Sequence, residues 1–290
     1  MGGFYKTFKR WSIIATMVIL IVVLTSATYA WFTSNQTVSS ERATARSGTD
    51  TLELQISGQG GEAFQAENEV DIVQVNKAEA DAEKLMPVST ADLENFVYSP
   101  STNQNNEADT FVKVENEAYY YHGRIYLRAL SEGASDTAKM ALYLDEDAEA
   151  GGELVSAEDG QLLNAARLGL TFDGENPVIY YLSEKENEGG GQQVSTVLNG
   201  TTLDASHVID SSGGTFTGVK DPAVPISTNR ITMDDTKVTL PESPLLVMEL
   251  NRVYTVDIYF YIEGCDPDCT NMISLNAADM HLAFYGIMEE

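Results

Sequence analysis

Between residues 253 and 262 apolar and polar side chains alternate with a period of two, and this pattern dictates the kind of fold open to the chain. Tyr254, Val256, Ile258, Phe260 and Ile262 fall on one face; Val253, Thr255, Asp257, Tyr259 and Tyr261 fall on the other. An extended strand sends successive side chains to opposite faces, so such a segment buries one side against a core. The pattern recurs. Leu52, Leu54 and Ile56 oppose Glu53 and Gln55, and Ile125, Leu127 and Ala129 oppose Arg124, Tyr126 and Arg128. Met140, Leu142 and Leu144 share a face, and Met280, Leu282 and Phe284 alternate with His281 and Tyr285. One-sided alternation of this kind predicts an all-β chain built as an antiparallel β-sandwich, with sheets packed face to face.

Helices are expected to be few, short and confined to loop insertions. Ser156 and Asp159 resemble a capping box ahead of a helix over 161–167, whose Leu162, Leu163 and Ala166 form an apolar stripe. A strand over 168–172, a four-residue loop (Asp173, Gly174, Glu175, Asn176) and a return over 178–182 read as a hairpin. Residues 76–85 and 90–96 are expected to add helical turns in an insertion between early strands. Acidic, Gly- and Asn-containing stretches at 101–109, 184–193 and 211–218 read as long surface loops.

The amino terminus sets the compartment. Lys6, Lys9 and Arg10 precede an uncharged run from Ser12 to Ala30. Basic residues stay inside and the apolar run enters the bilayer as an export helix, carrying the downstream chain across. Three fates remain open. A signal peptidase can cut between Ala30 and Trp31, with Thr28 at the −3 position and small polar residues (Thr25, Ser26, Ala27) before it. Uncleaved, the 22 residues 11–32 are long enough, at about 1.5 Å each, to span a hydrocarbon core of about 30 Å. A pilin-type leader cut before Phe4 fits least, because Phe8 stands where such leaders carry glutamate. The organisation is thus export segment 1–30, extended mature segment 31–50, and sandwich domain 51–290 with acidic loop insertions.

Seventeen basic residues face 44 acidic ones, a formal charge of −27, and removing residues 1–30 takes away basic residues only. This excess excludes nucleic acid and anionic lipid surfaces as partners, leaving the membrane to residues 11–32 if they are retained. The clusters Asp145-Glu146-Asp147, 184–188 and Asp234-Asp235 offer carboxylates for weak Ca²⁺ binding. None has the spaced pattern of a dedicated loop, so they read as solvated and no cofactor is implied.

Cys265 and Cys269, the only cysteines, flank Asp266-Pro267-Asp268 directly after the clearest strand. In an exported chain that spacing reads as a disulfide closing a tight turn, contributing about 2 kcal/mol for so small a loop. Reduced structural thiols and a metal site are the alternatives, the latter short of ligands because the three histidines lie far apart. No His-Glu-x-x-His, Gly-x-Ser-x-Gly or phosphate-cradling Gly loop occurs, and no catalytic residue is assigned.

The junction 27–33 (Ala-Thr-Tyr-Ala-Trp-Phe-Thr), the stretch 44–54 and the late Ile-Glu-Gly-Cys-Asp-Pro-Asp-Cys (262–269) resemble exported proteins of Gram-positive anaerobes. Those proteins carry signal sequences cut by the SipW-type peptidase and are similar, more distantly, to the TasA/camelysin (CalY) group of biofilm matrix proteins. The resemblance implies a jelly-roll-like sandwich, secreted or displayed on the surface of a Gram-positive cell and self-assembled into extracellular fibres. In such fibres the mature amino-terminal segment adds as a strand to a neighbouring subunit, a role that falls by position to residues 31–48. Its apolar side chains are Trp31, Phe32, Val38, Ala43 and Ala45. Two other functions compete with the fibre subunit. One is a membrane-anchored surface binding module presenting Tyr119, Tyr120, Tyr121, Tyr259 and Tyr261. The other is a secreted camelysin-type metalloprotease, for which this chain lacks the motif.

Overall fold

The computed structural model describes residues 38–47, 52–59, 64–66, 69–76, 85–98, 112–131, 138–145, 155–157, 161–183, 197–198, 201–202, 208–209, 216–218, 222–234, 237–264, 266, 269 and 278–289. Among them the strands of four or more residues are β1 (Val38–Ser47), β2 (Leu52–Ser57), β3 (Tyr121–Ser131), β4 (Lys139–Leu144), β5 (Ala166–Phe172), β6 (Glu175–Tyr181), β7 (Leu246–Glu249), β8 (Val253–Glu263) and β9 (Ala278–Met288). Among the described residues the fold is all-β, and the α-helix α1 there spans only Gln161–Ala165. The export segment, the predicted cut after Ala30, residues 77–84 and the expected loops at 101–109 and 184–193 lie outside the described residues.

Two large sheets form. The first runs β7-β4-β9-β1 and ends on the two-residue strand Val70–Asp71; the second runs from Val224–Pro225 through β6-β5-β8-β3-β2 to Gln65–Ala66. The alternating residues meet where the sequence pattern requires. Ile125, Leu127, Val256, Ile258 and Phe260 of the second sheet share one core with Met140, Leu142, Met280, Leu282 and Phe284 of the first. Each of these ten side chains is at most 1 % exposed. Burying a large aliphatic side chain of this kind contributes about 1.5–3 kcal/mol, so this shared core is the main source of stability.

Several local expectations are corrected. The sheets are not antiparallel throughout. β1 runs parallel to β9, from Val38 opposite Ala278 to Ser47 opposite Gly286, because no hairpin constrains two strands from opposite ends of the chain. The helix expected over 161–167 stops at Ala165: Ala166 and Arg167 pair with Ile262 and Tyr261 of β8, and the ladder overrides local propensity. The hairpin loop is two residues, not four, since Phe172 pairs with Glu175. Asp173 and Gly174 both have positive φ (54° and 75°), the conformation of a type I′ turn. The stretch expected as a loop over 211–218 ends in a short strand, Phe216–Gly218, which pairs with Val208–Ile209.

Residues 90–96 form no helix. Thr90 Oγ1 accepts from the Leu93 amide (3.0 Å), and Asp92 Oδ1 accepts from those of Glu94 and Asn95 (3.0 and 2.8 Å). These side chains satisfy the backbone in place of a helical ladder. Leu93 is held at φ 61° and seated on Gly169, where a Cβ would lie 2.5 Å from its Cδ2. Val88, Leu93, Phe96 and Val114 thereby pack with Ile179 and Tyr261 on the outer face of the second sheet.

One charged pair lies fully inside. Arg167 Nη2 donates to Asp266 Oδ2 at 2.7 Å with both side chains 0 % exposed, while Nη1 donates to the Ala166 carbonyl at 3.1 Å. Close by, Ser89 Oγ donates to the buried Glu263 carboxylate. Burial, reinforced by Glu263 and Asp266, pushes the Cys269 thiol up to about 12. The turn after β8 is therefore anchored through an inward carboxylate. Because one buried charge stranded without the other is costly, Asp266→Ala is expected to destabilise by about 3–5 kcal/mol in denaturant unfolding. Adding Arg167→Met should recover part of that loss; fully additive losses would show that the pair does not act as a unit.

Candidate functional site

The strand expected to act in assembly is built into the first sheet. β1 lies between β9 and Val70–Asp71, with Arg42 in register with Asp71 on one side and His281 on the other. Ala43 and Ala45 are 1 % and 2 % exposed and belong to the shared core. Their small side chains suit a strand pressed over β2, to which β1 is joined through residues 48–51 alone. Val38 opens the strand opposite Ala278. Trp31 and Phe32 lie outside the described residues.

A second constellation occupies the outer face of the second sheet. Strand pairing sets Asp257 of β8 opposite Arg124 of β3, and Tyr259 opposite His122. Asp257 Oδ1 accepts from Arg124 Nε (2.7 Å) and Nη2 (2.6 Å) and from His122 Nε2 (2.8 Å). A carboxylate only accepts, so the imidazole proton sits on Nε2. Burial works to raise the Asp257 carboxyl, but the hydrogen bonds from His122 and Arg124 outweigh it and hold the group below the usual carboxylate range. The His122 ring stacks on Tyr259 at 4.5 Å between centroids, and Tyr259 in turn borders Phe96 and Tyr120.

Beside this network, at the sheet edge, lies a groove of about 230 Å³ lined by Gly58, Gln59, Val73, Val75, Arg124 and Tyr126. The short strand Val73–Gln74 forms one wall by pairing with β3, Val73 opposite Arg124. Val73 and Val75 are 45 % and 43 % exposed.

Of the tyrosines expected to form a binding face, two are buried and three are half-buried. Tyr121 is buried in the main core and Tyr261 in the smaller cluster, with Tyr119, Tyr120 and Tyr259 packed against it. Cys269 is half-buried at the end of the turn; Cys265, and with it the expected bridge, lies outside the described residues. Of the acidic clusters, Asp145 is buried at the end of β4 and Asp234 stands opposite Lys237 in a short hairpin. Glu146, Asp147, residues 184–188 and Asp235 lie outside the described residues. Among the described residues no group of three or more His, Cys, Asp or Glu side chains is placed to hold a metal ion. No family model, curated protein or solved structure matches this chain.

Sequence reasoning passes over the triad of His122, Arg124 and Asp257. Its only local sign is an aspartate on the polar face of β8 and two cationic or titratable residues spaced by two on β3. The pH dependence of the network has a definite sign. A carboxyl held below its unfolded value contributes stability above the unfolded range and loses it as pH falls through the folded value. Asp257→Asn is therefore expected to lower stability by about 1–2 kcal/mol at pH 7. In thermal melts the gap between variant and parent should close as pH is lowered from about 5 towards 3. A gap that stays constant over that interval would contradict the network.

Proposed function

We propose that the protein is a secreted or cell-surface structural subunit of a Gram-positive cell, cut after Ala30 and assembled into extracellular fibres by strand addition. The observation carrying this reading is the seat of β1. It is joined to β2 through residues 48–51, and it fills a slot between β9 and Val70–Asp71. A slot that the chain's own β1 fills can be filled by the same strand of a neighbour with the same hydrogen bonds and register. Where each subunit passes its strand to the next and not back to its donor, the exchange is heterologous, runs head to tail without closing and gives fibres, whereas reciprocal exchange closes a dimer. The shared core of the two sheets supports a jelly-roll-like sandwich as the rigid body of the subunit. The acidic surface keeps free subunits apart until calcium or mild acid reduces the repulsion.

Filaments are thus expected by electron microscopy when the mature chain is exposed to calcium or mildly acidic buffer. A synthetic peptide of residues 31–47 in excess should occupy the slot and stop filament growth, while a scrambled peptide should not. Filaments that grow equally fast with either peptide, or a chain that stays monomeric under all these conditions, would overturn the proposal.

A further inference from the structure

The groove at the edge of the second sheet has an apolar wall and a clamped cation. We propose that it takes the Trp31 side chain of the aromatic pair Trp31–Phe32 at the mature amino terminus, supplied by whichever chain's β1 fills the slot beside β9. This rests on the export reading, in which the pair leaves the membrane, but not on polymerisation.

Three observations converge. The first is chemistry. Val73 and Val75 are among the few large apolar side chains exposed in the described residues, and they line the groove together with Arg124 and Tyr126. Asp257 grips one edge of the Arg124 guanidinium through Nε and Nη2, fixing its plane beside the groove. A fixed guanidinium is a good partner for an indole face, and arginines here already stack in this way. Arg128 lies 4.3 Å over Phe64 and Arg252 lies 4.5 Å over Tyr254. The groove's volume, about 230 Å³, suits one large aromatic side chain.

The second is direction. Asp71 and Val70 pair antiparallel with Arg42 and Ala43, so the chain running on from Asp71 to Val73 and Val75 heads toward the amino-terminal end of β1. The groove wall and the start of β1 therefore lie at the same end of the molecule. The third is reach. Phe32 stands six residues before Val38. At about 3.3 Å per extended residue this is about 20 Å, more than the roughly 10 Å between packed sheets that the segment must round at the edge. Residues 33–37 are polar, so the pair is the part of this segment that gains from burial.

The test uses the full chain with a benzophenone side chain in place of Trp31, exported by its host, irradiated and mapped by mass spectrometry. Adducts are expected on residues 73–75 or 124–126. Val75→Asp, on an exposed position, should cut their yield about tenfold with unchanged circular dichroism. Adducts elsewhere only, on lipid only, or on the groove but indifferent to Val75→Asp would overturn the proposal. Mixing isotope-labelled and unlabelled chains separates it from the fibre reading. Groove adducts in protein that never forms filaments uphold the docking while the fibre reading falls. Filaments without groove adducts leave the fibre reading standing and end this one.

Discussion

The first sheet depends on how β9 is flanked. On one side β4 pairs with it antiparallel, Met140 opposite Met288 through Leu144 opposite Phe284. On the other side its partner is β1, from the far end of the chain. Without β1 a row of β9 amides and carbonyls would stand open, and Ala43 and Ala45 would no longer cover the core. An open, apolar edge of that length invites pairing with any available strand. The molecule resolves this by bringing its own residues 38–47 round, at the entropic cost of closing a very long loop. The same geometry that completes one subunit supplies the connection between subunits in the proposed fibre.

Charge is the second constraint. With 44 acids and 17 bases, each arginine placed inside or at a sheet face has a structural consequence. Arg167 neutralises Asp266 in the interior, Arg124 joins His122 on Asp257, and Arg252 reaches Asp173 at the hairpin turn, 2.7 Å away. The first two partner groups are buried, where removing one member strands the other; the third is exposed and contributes little. The aromatic-covered part of the second sheet and the open groove therefore differ in kind. Leu93 on Gly169 seals one half, and the other half ends in a cation held ready beside two valines.

Strands are legible in the sequence where alternation runs long. β3 and β8 follow from their apolar faces alone, because period two is a property of the extended backbone and not of context. The parallel β1–β9 pair is not legible, since the polar run 39–42 gives no hint of which distant edge it joins. Nor is the burial of Arg167, whose partner is 99 residues away, or the His122–Asp257 contact, 135 residues apart. Local pattern carries no information about such pairings. The packing around the aromatic residues is illegible for a related reason: Tyr259 and Tyr261 share the outer face of β8, and the segments 85–98 and 112–120 fold back against it. The groove depends on strand crossing at Ile72, which passes from one sheet's edge to the other's, and no residue type announces such a crossing.

Assembly as proposed requires that the slot beside β9 accept β1 from another chain as well as from its own. Thr44 and Ala283 are register partners across that seam, so Thr44→Cys and Ala283→Cys can trap it as a disulfide in a background with Cys265 and Cys269 replaced by serine. With the two substitutions on different chains, disulfide-linked dimers are expected in filaments. With both on one chain, an intramolecular bond is expected in the monomer. Filaments in which the seam closes only within single chains would show that β1 is not exchanged.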